Sequence, residues 1–384
     1  MKIAHVLTRL LRAGSEENTL ATCKAQIAAG HEVYLFHGCE YDDRYYKTPI
    51  AGLKLVNVKN LVHPLAPAAD FKAYRDMAKL FRELKIDVVH THQSKAGILG
   101  RFSAYSAKTP LVIHGVHIVP FANVGKIQRL IYLAAEKSAA MLTHAFIDVS
   151  RGMRDIYVQE GVGKPEHHYI VHSGFDLKRF KGATFPDDWR NVLQLAPDEE
   201  KPPVIVMLAA LEPRKRHCEF LDAFKVIVEK IPNVRLVMPG EGPYKAVVEA
   251  KIRELGLEKN ALLVGYRTDP EKMIALADVC ALTSTREGLP RVIMQYLVVG
   301  KTCVVCDLPG LDEVVNHNIN GFIVPPDDIQ AAANKLLELL THQNELNRLT
   351  AGAKASNLDS WDVENMCRKI EEVYQSYFKA VTAK

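Results

Sequence analysis

Residues 1–37, MKIAHVLTRLLRAGSEENTLATCKAQIAAGHEVYLFH, contain the pattern that decides the fold class. A short apolar run at 2–7 is followed by a helical stretch at 16–29 and a second apolar run at 32–37. Strands that are apolar along most of their length, and that alternate with helices, are typical of a parallel sheet covered on both faces. The opening residues therefore predict a doubly wound α/β domain with right-handed crossovers.

The same alternation continues along the chain. Further strand candidates in the first half lie at 53–58, 87–91, 111–114 and 145–149, and helical stretches lie near 71–85, 95–106 and 124–142. A second series of strand candidates lies at 204–209, 234–239, 261–265, 279–283, 303–306 and 321–324. Between the two series, residues 181–203 are polar and contain proline without a clear period, and we interpret them as a loop or linker.

Two Rossmann-like domains are the consequence of this pattern. We expect the first domain at 1–180 and the second at 181–360, and two terminal helices near 329–341 and 361–380. Ligands of open α/β sheets bind at the carboxyl ends of the strands. The expected binding site is therefore a cleft between two facing sheets.

The composition is that of an ordinary soluble globular protein. Of the 384 residues, 48 % are hydrophobic and 24 % are charged, which excludes a disordered chain and a small disulfide-rich domain. No run of about 18 uncharged apolar residues is present, and no apolar leader with a cleavage site follows Met1. We therefore expect a cytoplasmic protein without a membrane-spanning helix.

The net charge of +4 is unevenly distributed. Residues 1–180 contain 24 Lys and Arg against 16 Asp and Glu, a net of +8, whereas residues 181–384 contain 25 against 29, a net of −4. A basic first half suggests an anionic partner, such as a membrane surface, a phosphorylated lipid or a nucleic acid. A chance asymmetry on a solvated surface is the alternative.

The seven cysteines are scattered, as is usual in a reducing compartment. Cys303 and Cys306 have C-x-x-C spacing, but they lie in an apolar run, TCVVC at 302–306. Because no second pair is nearby, we interpret this run as a buried strand rather than as a zinc or redox site.

Two loops that follow strands carry candidate anion-binding residues. The turn RAGSEE at 12–17 joins a strand to a helix, so that its backbone N–H groups can approach an anion, although an ordinary tight turn is the alternative. The dinucleotide fingerprint G-x-G-x-x-G is missing, which disfavours an NAD dehydrogenase. The stretch PRKRH at 213–217 places three consecutive cations after a strand, where they can neutralise a diphosphate or simply begin a solvated helix.

Two further loops follow strands of the second half. Gly240 and Gly242 surround a single residue and allow close approach of a ligand, or form a plain turn. The segment STREGLP at 284–290 carries Glu287, whose carboxylate can accept hydrogen bonds from sugar hydroxyls. Gln295 lies in the helix that follows, and spacing alone leaves open whether it shares a ligand with Glu287.

Histidines cluster at the ends of two strands in the first half, namely His90, His92, His114 and His117. Their spacing is compatible with a metal site, but no acidic partner lies nearby in the sequence. Contacts to a sugar or phosphate, or a purely structural role, are the other interpretations.

Taken together, the loops resemble those of the family-4 glycosyltransferases, retaining enzymes of the GT-B fold that build bacterial cell-surface polysaccharide or lipopolysaccharide. The resemblance covers essentially the whole chain. It is carried by 278–326, DVCALTSTREGLPRVIMQYLVVGKTCVVCDLPGLDEVVNHNINGFIVPP, by RLLRAGSEENTL at 9–20, by THQSKAGILGR at 91–101 and by IHGVHIVPF at 113–121.

The resemblance implies a role for each matching residue. Glu287, Lys215 and His117 take the catalytic positions: Glu287 contacts hydroxyls of the donor sugar, Lys215 neutralises the diphosphate, and His117 lies beside the sugar. The implied donor-binding residues are Gly14, Ala210, Arg214, Lys215, Gly240, Gly242, Tyr266, Arg267, Glu287, Gly288, Leu289, Pro290 and Gln295. The implied acceptor-binding residues are His92, Ser94 and Lys95. The family needs neither a metal nor another cofactor.

Two residues depart from the family pattern. Gln295 occupies the position of the second glutamate of the E-x7-E motif, which binds both ribose hydroxyls in the family. Since glutamine has one acceptor oxygen and no charge, ribose binding should be weaker or differently arranged. Ala210 replaces the family's arginine, so that Lys215, helped by Arg214 or Arg216, must hold the diphosphate.

The predicted activity is transfer of a hexosyl or N-acetylhexosaminyl group from a nucleotide-diphosphate sugar, with UDP preferred on family frequency, to a hydroxyl of a cell-surface glycan or lipid-linked acceptor. The first domain would bind the acceptor and the second the donor, with the helix at about 361–384 packing back on the first. An epimerase of the same architecture and a non-catalytic nucleotide-sugar binding subunit are the alternatives.

The membrane is a further expected partner, whereas a nucleic acid is not. The segment 122–142 mixes Lys126, Arg129 and Lys137 with an apolar face, which suits peripheral attachment to the inner face of a membrane. An ordinary packed helix is the alternative.

Overall fold

The computed structural model describes residues 1–11, 14–122, 124–285 and 287–382, which form two compact units. Unit 1 comprises Met1–Phe175 and Ser360–Lys384. Unit 2 comprises Asp176–Asp359.

In the described part of unit 1, seven parallel strands form one sheet. They are β1 (Lys2–Leu10), β2 (Glu32–Tyr41), β3 (Leu53–Asn57), β4 (Val88–His92), β5 (Leu111–Val116), β6 (Ala145–Asp148) and β7 (His168–Ile170). Their order is β3-β2-β1-β4-β5-β6-β7. Every residue of β4 and β5 is buried, and β5 is accordingly apolar along most of its length. β4 instead buries His90, Thr91 and His92 after its two valines.

Helices connect these strands, as the alternation predicts. Those that precede unit 2 are α1 (Gly14–Ala28), α2 (Arg44–Lys47), α3 (Pro67–Leu84), α4 (Ser94–Ala107), α5 (Lys126–Ala140) and α6 (Arg151–Gln159). The sequence pattern missed α2, α6 and β7. The four residues of α2 and the three residues of β7 are too few to show a period.

Unit 2 repeats the architecture with six described strands. They are β8 (Val204–Val206), β9 (Arg235–Met238), β10 (Ala261–Leu263), β11 (Val279–Leu282), β12 (Cys303–Cys306) and β13 (Gly321–Val324), in the order β10-β9-β8-β11-β12-β13. Its helices are α7 (Leu177–Phe180), α8 (Trp189–Val192), α9 (His217–Lys230), α10 (Lys245–Leu255), α11 (Pro270–Ala275), α12 (Arg291–Val299), α13 (Ile329–Thr341) and α14 (Gln343–Lys354).

Residues 181–203 are mostly loop, as expected, but they also contain α8 and bury Val192 and Leu193 within unit 2. The expected number of terminal helices requires correction. The chain ends in three helices rather than two, since α14 follows α13 after a single residue. The last helix, α15 (Val363–Thr382), buries Met366, Ile370 and Tyr374 in the core of unit 1.

Strand β12 contains the C-x-x-C pair. Cys303 and Cys306 are both fully buried, and burial raises their thiol pKa values to about 12 and about 11. The two cysteines therefore belong to an interior strand, as the apolar run predicts. Among the described helices, none is both long enough and apolar enough to cross a membrane.

Candidate functional site

The strand order of each unit changes direction at one point, and ligands of open α/β sheets bind outside the carboxyl ends of the strands at such a point. In unit 2 this point lies between β8 and β11. The loop after β8 carries Lys215, and the loop after β11 carries Glu287. The hydroxyl of Thr283 donates a hydrogen bond of 3.0 Å to the carbonyl oxygen of Lys215, and the N–H of Thr285 donates one of 3.0 Å to Arg214. The two loops are therefore held together.

A cluster of charges forms where these loops meet. The carboxylate of Glu287 pairs with the ammonium of Lys215 and with the guanidinium of Arg214, whose Nε lies 2.6 Å from Glu212. Only 7 % of Lys215 is exposed. Burial by itself raises the pKa of Glu287, but the charges of Lys215 and Arg214 outweigh it and hold that pKa below its ordinary value. The carboxylate is thus ionised and available as a hydrogen-bond acceptor.

Helix α9 begins next to this cluster. Arg216, which precedes the helix, adopts a left-handed backbone with φ of 59°, and its guanidinium donates to the carbonyl oxygen of Pro326 at 2.5 Å. The N–H groups in the first turn of a helix favour an anion, and α9 begins two residues after Lys215. Lys215 and this terminus together offer positive charge to a phosphate.

The paired glycines of the third loop have a structural reason. A Cβ atom on Gly240 would lie 2.0 Å from the carbonyl oxygen of Ala209, and one on Gly242 would lie 2.3 Å from that of Leu211. The N–H of Gly240 also donates to Gly265 at 2.9 Å. The glycines allow the loop after β9 to lie directly against the loop after β8. This packing by itself explains the two glycines, and their contact with a donor stays a prediction.

Arg267 is engaged within unit 2. Its guanidinium forms paired hydrogen bonds to Asp188 and to Asp269 at 2.8–3.1 Å, and these carboxylates raise its pKa. The Arg267 side chain is therefore held in place by these two carboxylates. The neighbouring Tyr266 is 39 % exposed.

The remaining donor candidates lie around the β11–α12 loop and within the loop after β8. Leu289 and Pro290 are buried, and Pro290 directly precedes α12, which carries a half-buried Gln295. Gly288 is also buried, and Ala210 is half-buried.

In unit 1 the corresponding reversal lies between β1 and β4. Gly14 begins α1 and is exposed, whereas Arg12 and Ala13 of the predicted first loop lie outside the described residues. Gln93, which the sequence reading did not single out, joins the two strand ends. Its Oε1 accepts from the N–H of Thr8 at 2.9 Å, and its Nε2 donates to Glu16 at 3.2 Å.

The predicted histidine cluster exists and has an additional member. His90, His92 and His114 are buried, His117 is half-buried, and His5 of β1 lies among them with its Nδ1 3.0 Å from Nε2 of His92. The signal for His5 was its register: β1 pairs with β4, and His5 lies opposite His90. Burial lowers the pKa of each buried histidine of the cluster, so that they are neutral.

The three predicted acceptor residues differ in their surroundings. Ser94 is exposed at the start of α4. His92 is only 3 % exposed, and each of its ring nitrogens contacts another histidine. The ammonium of Lys95 contacts Asp70 at 2.5 Å and the carbonyl oxygens of Val62 and Pro64, which makes Lys95 a link between α4 and the β3–α3 segment.

Comparison with known proteins places both units in described families. The family described as glycosyltransferase family 4 matches residues 13–179, and the one described as glycosyl transferases group 1 matches residues 193–356. Together they match most of the chain.

Individual relatives extend this similarity. The chain is 29 % identical over 322 residues to the UDP-Gal:alpha-D-GlcNAc-diphosphoundecaprenol alpha-1,3-galactosyltransferase of Escherichia coli, covering 83 % of this chain and 82 % of the relative. It is 24 % identical over 363 residues to an alpha-1,4-N-acetyl-D-galactosaminyltransferase of Campylobacter jejuni whose named acceptor is linked to PP-undecaprenol, covering 92 % and 93 %. The solved structure of Anabaena HepE with UDP and glucose superposes with a TM-score of 0.81 at 20 % identity, covering 98 % of this chain and all of that one, which shows the shared fold.

Proposed function

The chain belongs to the family-4 glycosyltransferases of the GT-B fold, and we propose that it transfers a sugar from a UDP-sugar to a hydroxyl of a lipid-linked glycan with retention of anomeric configuration. Unit 2 binds the donor, and unit 1 binds the acceptor. The Escherichia coli relative is named for a UDP-Gal donor and a diphosphoundecaprenol-linked acceptor, and HepE was crystallised with UDP, which supports these choices.

The observation that carries the proposal is the ion-paired cluster of Lys215, Arg214 and Glu287 at the β8/β11 reversal. The leaving diphosphate gains negative charge as the sugar–phosphate bond breaks. Lys215 and Arg214 stabilise that charge, assisted by the N-terminus of α9. The cations of the cluster can therefore supply what a metal ion supplies in other transferases.

Glu287 positions the sugar. Its ionised carboxylate accepts hydrogen bonds from sugar hydroxyls, which holds the anomeric carbon in register with the acceptor. In this proposal the acceptor hydroxyl attacks from the face that the diphosphate leaves, and a diphosphate oxygen takes the hydroxyl proton. Gly14 and His117 of unit 1 keep their predicted roles at the diphosphate and at the sugar.

A peripheral membrane contact through α5 completes the proposal. Ile127, Leu130 and Ile131 on this helix are 59–77 % exposed, and Leu65 nearby is 76 % exposed. A cavity of about 520 Å³ is lined by three of these apolar residues, Leu65, Ile127 and Ile131. The rest of its lining consists of Gly125, Lys126, Gln128 and Tyr132. An apolar surface with cations beside it suits an anionic bilayer, in which a lipid-linked acceptor would lie.

The catalytic proposal is tested with purified protein. A thermal-shift panel of UDP-, GDP- and ADP-sugars identifies the donor, because a ligand that binds only the folded state raises its stability. Transfer to an undecaprenyl-diphosphate sugar is then followed by mass spectrometry, and the anomer of the product is assigned by NMR. An epimerised nucleotide sugar released without acceptor, or donor binding without turnover, would contradict the proposal.

The membrane contact is tested separately by sedimentation with vesicles of phosphatidylglycerol and phosphatidylcholine. We expect Ile127→Glu to reduce the bound fraction. Ile319→Glu is the matched control, because Ile319 of unit 2 is 60 % exposed and lies outside α5. Equal binding by both variants would exclude α5 as the contact.

A further inference from the structure

A chain of hydrogen bonds runs through the interior of unit 1 and ends at His117. Gln26 Oε1 lies 2.8 Å from His5 Nε2, His5 Nδ1 lies 3.0 Å from His92 Nε2, and His92 Nδ1 lies 3.0 Å from His117 Nε2. Gln26, His5 and His92 are each at most 3 % exposed, whereas His117 is half-buried. This series of hydrogen bonds therefore connects the buried amide of Gln26 on α1 to His117, which lies nearer the surface.

Each neutral imidazole in such a chain has one donor and one acceptor nitrogen. The hydrogen bonds of the series therefore all donate in the same direction, and the amide oxygen of Gln26 determines that direction. Since Gln26 Oε1 is an acceptor, His5 Nε2 donates to it, and His5 Nδ1 must accept from His92 Nε2. His92 Nδ1 then accepts from His117 Nε2, so that a neutral His117 carries its hydrogen on Nε2.

The hydrogen bond between His92 and His117 requires a glycine at position 115. A Cβ atom on Gly115 would lie 2.9 Å from His92 Nδ1 and 3.1 Å from His117 Nε2, the two atoms that form this hydrogen bond. The contact between His92 and His117 thus depends on the absence of a side chain at this position of β5.

We propose that Gln26, acting through His5 and His92, holds His117 in the tautomer with hydrogen on Nε2, so that Nδ1 accepts a hydrogen bond from a hydroxyl of the transferred sugar. The second half of this statement rests on the proposed function, whereas the first concerns the free protein. Gln26, His5 and His92 are positioning residues, and only His117 contacts substrate.

A metal ion is the competing explanation of the cluster. His5, His90 and His92 offer nitrogens that all lie within 4.8 Å of one another. However, His5 and His92 already bond to each other, and His90 Nδ1 bonds to the hydroxyl of Tyr374 at 2.7 Å. No carboxylate belongs to this described group, so that a divalent ion would be buried without a counter-charge.

The tautomer is measured in the full-length protein labelled with ¹⁵N-histidine, without substrate, by long-range ¹H–¹⁵N correlation. We expect His117 to show a protonated Nε2 and an unprotonated Nδ1. Hydrogen on Nδ1, or one equivalent of zinc bound through these histidines, would overturn the proposal. Because no sugar is present, the outcome does not depend on the proposed function.

Two variants test the relay itself. Gln26→Met removes the acceptor at the buried end of the hydrogen-bonded series. Gly115→Ala places a methyl group against the hydrogen bond between His92 and His117 without changing any residue of the series. Each variant should populate the other tautomer of His117. Thr22→Val is the matched control, since Thr22 is a buried polar residue of α1 whose hydroxyl bonds to Asn18. An unchanged His117 spectrum in both test variants would refute the relay.

Activity supplies the last arm of the experiment. Asparagine places an acceptor oxygen near the position of Nδ1, whereas glutamine places its amide near Nε2. His117→Asn should therefore retain transfer within about tenfold of the wild type, the value of one hydrogen bond, and His117→Gln should lose more. The reverse ranking would contradict the role of Nδ1. Absence of transfer by the wild type would instead contradict the proposed function while leaving the tautomer result intact.

Discussion

The ammonium of Lys215 and the carboxylate of Glu287 form an ion pair in unit 2, although the two residues belong to loops that follow different strands, β8 and β11. The strand order makes these strands neighbours, and a hydrogen bond from Thr283 to the backbone of Lys215 fixes the distance between the loops. A cation that would neutralise a leaving diphosphate is thereby kept next to a carboxylate that would hold the sugar.

Replacement of Lys215 tests the cation. Lys215→Met keeps the length of the side chain but removes its charge, and we expect kcat to fall by about 100- to 1,000-fold, as for loss of one preorganised electrostatic contact in other enzymes. The rate of sugar transfer is measured together with the circular dichroism spectrum. Lys225→Met, at an exposed position of α9, is the control and should leave the rate unchanged. Near-normal transfer by Lys215→Met would remove Lys215 from the site.

The pH dependence of stability tests the ionisation of Glu287. Its pKa in the folded protein lies below the ordinary value of 4.5, so that the carboxylate contributes stability above pH 4.5 and loses this contribution as the pH falls through the lower folded value. We expect the difference in urea midpoint between the wild type and Glu287→Gln to be constant from pH 7 to 5 and to shrink below pH 4.5. A difference that persists unchanged to pH 3 would show that Glu287 is not stabilised as a carboxylate.

Gln295 tests how the departure from the family pattern affects the donor. Restoring the carboxylate with Gln295→Glu should lower the Kd for UDP by about tenfold, because hydrogen bonds to a charged acceptor are about twice as strong as neutral ones. Binding is measured by isothermal titration calorimetry. Gln330→Glu makes the same charge change at an exposed position of α13 and should have no effect. Equal affinities of Gln295→Glu and the wild type would show that this side chain does not reach the ribose.

The sequence predicts the two sheets well because most residues of buried parallel strands are apolar, and this property is local. The core of β11 illustrates the rule, since all four of its residues are buried. The return of α15 to unit 1 was expected only from the resemblance to the family, because no local pattern specifies which sheet a terminal helix covers.

The candidate site was predictable only in part, for a physical reason. Lys215 and Glu287 follow strands, and the carboxyl ends of strands are where ligands bind, so their loops could be identified in advance. The engagement of Lys95 by Asp70 and of Arg267 by two aspartates depends on the folded positions of distant residues. The same holds for His5, whose role became visible only when β1 was paired with β4.

The buried ion pair between Arg101 of α4 and Glu136 of α5 provides a test of packing that is independent of catalysis. The two side chains are 0 % and 2 % exposed, and Arg101 Nη2 lies 2.6 Å from Glu136 Oε2. Glu136→Gln leaves the guanidinium buried without its counter-charge, and we expect it to lower the free energy of unfolding by about 3–5 kcal/mol.

The double variant Arg101→Met, Glu136→Leu shows whether the stability lost in Glu136→Gln comes from the unpaired charge or from loss of the specific hydrogen bonds of the pair. It replaces both groups with apolar side chains of similar size, and it should recover most of the stability lost in Glu136→Gln, because no unpaired charge remains. Glu83→Gln is the control, since Glu83 pairs with Lys79 at 3.7 Å on the surface and should cost about 0.5 kcal/mol or less. Urea unfolding monitored by tryptophan fluorescence measures all three. If the double variant were no more stable than Glu136→Gln, specific hydrogen bonds of the pair, rather than desolvation of an unpaired charge, would determine the packing of α4 on α5.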